Sequence, residues 1–556
     1  MERPISKAYQ AELERQAQEA ISDKATISFI RRALCSRNAL ANTITGGEKG
    51  GSTPQPIEDL LPPLTSSNDV DLQLYAIIAV IFKEFVFTWY SKITPDHVFP
   101  DEVLQTIAHC TRALEQRVRK VDLEALLLDE IPDVLQSHIN AYRVATRTSM
   151  SNALASSKQQ IYHTLNPHPA LSPVPGDMSS SSTLEQKENE VAWRQLLVQG
   201  ILAVLLPTED LENGCLRALV AEIFSEMILG GGISEKACEP WLLWEATTKI
   251  IETVKPRTAQ GEQYGTNVAQ RSNRHPDPDS TNSPKSSQKS RHRRGFHHAA
   301  SSVLSSFWAV LQYVFLAWYT IRAAMVILAR SSSLPSRSMA AWSVPIPVED
   351  TTQQWLRPKE HTAALMHQDS KQPVVSMKAW SCISLVIELD SHMPWLSGFT
   401  SFLHWASLEG PGRVGETGGV LDRLLSHYVH NSLLNPQLIP PLLRSVRAAL
   451  FPRNAMAPAR VPPSQEEILE IKRRCARSVA NVLPQQVTKV YFATSCLDQV
   501  EAEVEDLLDV LGDKYCNKTL MFSLIELVIV RLLPEIADKG IVSLMEERLG
   551  EMSSNN

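Results

Sequence analysis

Cysteine is sparse and scattered in this chain. The eight cysteines, Cys35, Cys110, Cys215, Cys238, Cys382, Cys475, Cys496 and Cys516, form no C-x-x-C pair, and no His stands near them at zinc-finger spacing. A structural metal centre is therefore not expected, and reduced, mostly buried thiols are the plain expectation. Catalytic signatures are missing too. The glycine run Gly46-Gly47-Glu48-Lys49-Gly50-Gly51 lacks the spaced Gly-Lys-Ser/Thr of a phosphate loop, and there is no G-x-S-x-G or H-E-x-x-H. No alternation of strand and helix patterns is present to hold a dinucleotide. Charge of one sign is also lacking: 54 Lys and Arg stand against 61 Asp and Glu, a net charge of -7, which argues against general nucleic-acid binding. The first residues, MERPISKAYQAELERQAQEAISD, hold no apolar stretch of the kind a secretory signal needs. These absences predict a non-enzymatic protein with no cofactor, no metal and no nucleic-acid partner.

What is present is helical patterning over 556 residues. Leu72 to Trp89, LQLYAIIAVIFKEFVFTW, is apolar around most of a helical circumference and should be buried on several sides. A second helix follows with Val103, Ile107, Cys110, Leu114 and Val118 on one face. Asp122 is placed to cap the next, and Pro132 should kink or divide it. Gly230-Gly231-Gly232 reads as a helix stop. Toward the C-terminus, helices are expected over Ser376 to Leu389 and twice within Val420 to Leu450. Ser464 and Glu467 form a capping box that opens a helix with Ile468, Ile471, Cys475, Val479 and Val482 on one face. A last apolar helix, TLMFSLIELVIVRLLPEI, ends at Pro534. Three low-complexity segments, Gly46 to Asn68, Asn166 to Thr183 and Val254 to Ala300, read as disordered inserts.

The third insert ends in a basic run with Lys285, Lys289, Arg291, Arg293 and Arg294. A solvated linker is the plainer reading, a patch for anionic lipid headgroups the sharper one. Phe307 to Ala329 follows, long enough to cross a bilayer but interrupted by Arg322. It could span, lie partly inserted, or pack inside a soluble fold. Both flanks are basic, so the orientation rule does not favour a crossing. The expectation is a helix in or on the cytosolic leaflet or against the protein body, with Phe307, Trp308, Trp318, Tyr319 and Arg322 as membrane-contact candidates.

The residues Phe87, Trp89 and Tyr90, then Arg117, Val121, Asp122 and Leu126, then His138, Tyr142, Arg143 and Ala145 are similar in order and spacing to the Phox-associated (PXA) domain of sorting nexins. The segment carrying Arg194, Leu206, Pro207 and Glu222-Ile223 resembles that domain's second half. From Pro463 to Ile536 the chain resembles the sorting nexin C-terminal domain, through Leu483-Pro484, Asn517, Leu520, Glu526 and Leu532 to Ile536. Neither a PX nor an RGS domain is recognisable between them. The resemblance implies an all-α, large multi-helix body built from two sequence-separated helical regions with disordered inserts: 1–70 an N-terminal helix and disordered segment, 71–252 PXA-like with the insert 166–183, 253–300 a basic linker, 303–330 the apolar helix, and 376–540 nexin-C-like. It further implies a hydrophobic cavity for a phospholipid or other acyl-chain lipid, at the cytosolic face of endosomal or endoplasmic-reticulum membranes. Cavity candidates are Ile77, Ile81, Phe85, Phe522, Ile525 and Ile529. His138 and Tyr142, four apart on one helical face, are expected to serve structure rather than acid-base chemistry. A membrane-tethered trafficking scaffold, binding protein partners without a lipid cavity, is the alternative.

Overall fold

The computed structural model describes residues 23–35, 57–252 apart from 95, 97, 152–156 and 175–179, single positions between 314 and 334, and 371–553 apart from 411–412, 456–461, 484 and 495. Every regular element among them is a helix. The chain divides into two units, one formed by Met1–Thr248, Lys378–Pro394 and Val429–Asn556, the other by Lys249–Met377 and Trp395–Tyr428.

In the first unit, helix Asp23–Leu34 sets Phe29, Ile30 and Leu34 against Tyr75, Ala76, Ala79 and Val80 of helix Asn68–Ile81. Leu104 and Ala108 of helix Val98–Val118 complete this core. They displace the expected stripe by one residue, leaving Val103 and Ile107 at its edge. The expected disorder over Gly46 to Asn68 is corrected in its second half: Leu61 and Leu64 are buried in the same core. The buried Asp71 carboxylate holds them there, accepting from the Leu64 amide at 2.9 Å, the Thr65 amide at 2.7 Å and the Thr65 hydroxyl at 2.6 Å. Those bonds replace the water that burial removes. Residues 46–56 lie outside the described residues, as does 253–300.

Asp122 caps as expected, accepting from the amides of Glu124 and Ala125 at 3.2 Å each. Pro132 does not divide its helix. Lacking an N–H, it cannot bond back to the preceding turn, and a single π turn, Leu126–Glu130, absorbs the misfit before helix Ile131–Ser151 continues. The Gly230-Gly231-Gly232 stop is likewise corrected, because a π-helix, Ile223–Ala237, runs through it.

The two sequence-separated regions share one core. Ala141, Tyr142, Ala145 and Tyr162 pack with Tyr515, Cys516 and Phe522 of helix Lys514–Leu532. Ala170 and Leu171 belong to the same cluster, so the expected insert 166–183 is ordered through Val174 and resumes as helix Ser180–Leu205; only 175–179 lies outside the description. Polar bonds cross the same seam. Asn517 Nδ2 donates to the Cys238 carbonyl at 3.1 Å, Trp244 Nε1 to Leu508 at 3.2 Å, and Arg117 to the Leu532 carbonyl at 3.3 Å and the Glu535 carboxylate at 2.8 Å.

Further along, helix Gln465–Ala480 opens with the predicted capping box, Ser464 N donating to Glu467 Oε2 at 2.7 Å and Glu467 N to Ser464 Oγ at 3.4 Å. Its inner face is Cys475, Ala476 and Ala480, while Val482 beyond its end is exposed. Small residues there let helix Leu497–Leu508 approach through Val500 and Val504.

In the second unit, buried Asp422 accepts from the amides of Val374 and Gly418, both at 2.8 Å. Helix Pro394–Glu409 is held on it by His404 Nε2, which donates to the Val375 carbonyl at 2.9 Å, and by the Gly415 amide, which donates to the Ser407 carbonyl at 2.8 Å.

Arg117→Ala removes a charge-assisted pair that ties helix Val98–Val118 to the chain after Leu532. The expected cost is about 1.5–3 kcal/mol in chemical denaturation, and the charge-swapped pair Arg117→Glu with Glu535→Arg should recover part of it.

Candidate functional site

Helix Asn68–Ile81 continues through a π turn, Phe82–Val86, into helix Phe87–Ile93. The expectation that this run is buried on several sides holds from Asp71 to Val80, where no residue is exposed, and fails from Ile81 onward, where apolar side chains reach the surface. Ile77 is half-buried and stands outside the core, and Ile81, Phe85 and Trp89 are exposed. The other cavity candidates differ among themselves. Phe522 is fully buried, its ring stacked on Trp193 with centroids 4.4 Å apart and facing His168 at 5.5 Å. Ile525 and Ile529, farther along the same helix, are half-buried. A third apolar surface, unnoticed in the sequence, runs along helix Gly214–Glu222 and the π-helix after it: Leu219, Ile223, Phe224, Met227 and Ile228 are all exposed.

The opposite side of that π-helix faces a buried charge network. Arg194 Nε donates to the Ser225 carbonyl at 3.0 Å, Nη1 to Glu190 at 2.8 Å and Nη2 to Glu226 at 3.0 Å. Glu190 also accepts from Lys518 at 3.0 Å and from the Ser234 hydroxyl. Gly230 lies flat under the guanidinium; a Cβ there would stand 3.3 Å from its atoms. This satisfied network fixes the register of the π-helix and, with it, which side chains point outward. Its signal in the sequence is Glu190 and Arg194 one helical turn apart, together with the glycine that was read as a stop.

The residues carrying the family resemblance are mostly structural. Phe87 packs edge-on to Phe82, Tyr90 donates to Asp96, and Trp89 meets the rings of Tyr90 and Phe99. Arg143 reaches the end of helix Ala379–Val386, donating to the Leu385 carbonyl at 2.7 Å and the Val386 carbonyl at 3.3 Å, where a cation meets the negative end of the helix. It also pairs with Glu388 at 2.9 Å, a residue held at φ 48°. Tyr142 is buried under Lys158, whose ammonium sits 3.7 Å from the ring centroid.

His138 is buried between Tyr162 and the Val510 carbonyl. Because the carbonyl can only accept, Nε2 carries the proton at 3.3 Å and Nδ1 accepts from the Tyr162 hydroxyl at 2.9 Å. Burial drives its pKa down to about 4, with the Val510 bond opposing. Glu526 shows the converse balance: burial would raise it, but the imidazole of His168 at 3.4 Å and the indole of Trp193 hold it below the usual carboxylate range. Trp193 Nε1 donates to it at 2.6 Å. Among the described residues, no group of three or more His, Cys, Asp or Glu is arranged to hold a metal ion.

Of the apolar segment, Phe307 and Trp308 lie outside the described residues. Trp318, Tyr319 and Arg322 are helical and exposed, as are Val314, Phe315, Met325 and Val326. Among the described residues, no helix is long and apolar enough to cross a membrane.

A depressed histidine pKa gives stability that is full above the unfolded value near 6.5 and is lost as pH falls toward about 4. Between pH 7 and 5 this loss is on the order of 2 kcal/mol. His138→Gln should flatten the chemical-denaturation midpoint over that window, and an unchanged slope would show that the acid sensitivity lies elsewhere.

Residues 67–250 match the PXA domain family. PXA domain protein 1 of Schizosaccharomyces pombe is 35% identical over 138 residues, covering 25% of this chain and 25% of that protein. Sorting nexin-14 of Danio rerio is 22% identical over 157 residues, covering 28% of this chain and 15% of that protein. The chain thus spans a quarter or less of the length of these two relatives. An uncharacterized protein of Saccharomyces cerevisiae is 22% identical over 467 residues, covering 83% of this chain and 79% of that protein. No solved structure matches. The match over 67–250 shows that this chain contains a PXA domain, and the C-terminal helix Lys514–Leu532 closes the core of that region.

Proposed function

We propose that this protein is a non-enzymatic lipid-binding protein of membrane trafficking, holding the acyl chains of a phospholipid or similar lipid on apolar faces of its first unit and working at a membrane surface. The sorting nexin relatives support the trafficking part of this reading. The observation that carries the lipid part is the exposure of Ile81 and Phe85, at the end of a helix enclosed from Asp71 to Val80 and on the π turn that follows it. Each such side chain forgoes about 1.5–3 kcal/mol of burial. An acyl chain recovers that free energy without a covalent step, while its headgroup stays in contact with water. Half-buried Ile525 and Ile529, and the strip from Leu219 to Ile228, are further contact surface of the same chemistry. A scaffold for protein partners would use the same faces without lipid, so the lipid content of the purified chain separates the two readings.

Native mass spectrometry of the full chain is expected to show co-purifying phospholipid. Ile81→Asn with Phe85→Asn should reduce that occupancy severalfold without changing the far-ultraviolet circular dichroism, since both side chains lie outside the core. A lipid-free protein, or an unchanged load across such variants, would contradict the reading.

A further inference from the structure

Within the first unit, helices Asp23–Leu34 and Ile439–Leu450 meet through polar residues placed one turn apart on each. Arg444 Nη2 donates to Asp23 Oδ1 at 2.6 Å, and Arg447 Nη2 donates to the Thr26 hydroxyl at 3.0 Å. The two contacts differ in depth. The Asp23 and Arg444 side chains are 58% and 42% exposed, whereas Arg447 and Thr26 are fully buried, both at 0%. A guanidinium carries donors on all three nitrogens, accepts from nothing and stays charged at any ordinary pH. Nε and Nη1 of Arg447 have no acceptor among the described residues, and the buried Nε of Arg444 has none either. Thr26 offers a neutral oxygen and no charge. The carboxylate that acts on Arg447 is Asp23, already engaged by Arg444: burial and the Arg444 cation push the Arg447 pKa down, and Asp23 opposes them.

A buried cation whose donors lack acceptors is a costly arrangement, and an incoming anion relieves it on both counts. The way in lies beside Asp23. An exposed ion pair contributes little to stability, so its carboxylate can swing into water and leave Arg444 to share a new anion with Arg447. Donors on two guanidinium groups, with the Thr26 hydroxyl beside them, suit a compact anion with several acceptor oxygens. A phosphate group has them and is a preferred partner of arginine, whereas a carboxylate brings fewer. We propose that Arg447 and Arg444, with Thr26, form a binding site for a phosphate group, entered by displacement of the Asp23 carboxylate. Free phosphate and the phosphomonoester headgroup of a lipid carry the same chemistry. The site uses different residues from the exposed Ile81 and Phe85, so it stands or falls independently of the acyl-chain reading.

Equilibrium dialysis of the full chain against radiolabelled inorganic phosphate, in sodium chloride of constant ionic strength, tests the free ion. Flotation with phosphatidylcholine vesicles containing a minority of phosphatidic acid, against pure phosphatidylcholine, tests the headgroup. Arg447→Met should weaken the observed binding roughly tenfold or more. Asp23→Asn, at an exposed position, removes the competing carboxylate and should strengthen it severalfold. Saturable uptake in dialysis with both effects assigns the site to free phosphate; phosphatidic-acid-dependent flotation with both effects, and no uptake in dialysis, assigns it to a lipid headgroup. No binding in either assay, or binding that either substitution leaves unchanged, would overturn the proposal. Stability gives a separate readout. In phosphate-free buffer Arg447→Met should leave the chemical-denaturation midpoint unchanged or raised, because it removes a buried charge that lacks a counter-ion. A marked fall would make Arg447 a purely structural group and overturn the site.

Discussion

The first unit depends on a helix that its N-terminal region does not itself contain. Phe522 fills the space between Trp193 and His168, while Tyr515 and Cys516 pack on Tyr162 and Leu171. Without helix Lys514–Leu532 those residues would face water, at roughly 1.5–3 kcal/mol for each large side chain uncovered. Polar groups are committed across the same seam. The Asn517 amide, the Trp244 indole and the Arg117 guanidinium all find partners on the far region. A group left buried and unpaired costs about 1–3 kcal/mol, more when charged. Apolar and polar terms therefore oppose separation together.

That shared core also decides which apolar surface is left over. Helix Asn68–Ile81 is enclosed from Asp71 to Val80 by Phe29, Ile30, Leu104 and their neighbours, and the π turn at Phe82–Val86 carries the run onward with Phe85 and Trp89 outside. The π-helix Ile223–Ala237 works similarly: Arg194 and Glu190 hold Ser225, Gly230 and Ser234 inward, which directs Phe224 and Met227 outward. A wider turn is a costly way to continue a helix and is common where function demands a particular outward face. In both places the free energy of the buried side supports the exposure of the other.

Much of the architecture was legible in the sequence, and what was not has identifiable causes. Helix existence followed from three-and-four spacing and from local capping chemistry, as with Asp122 and the Ser464–Glu467 box. The inserts were overdrawn because composition describes a segment and not its partners. Leu64 and Leu171 sit among Pro, Ser and Gly, yet Asp71 in one case and the Tyr515 cluster in the other take them into the core. The glycine triplet misled because a tolerance for close approach, here by Arg194, leaves the same mark as a helix end. Among the site residues, Ile81 and Phe85 were distinguishable from core only once the partner face was known.

The stretches before Lys249 and after Tyr428, with Lys378–Pro394, form a single body. Inserting a protease site after residue 275 and cutting the folded full chain tests this directly. The shared core predicts that the two fragments remain one particle in gel filtration under native conditions and separate only in denaturant, together with the loss of tertiary circular dichroism. Fragments that part on cutting, each still cooperatively folded, would contradict it.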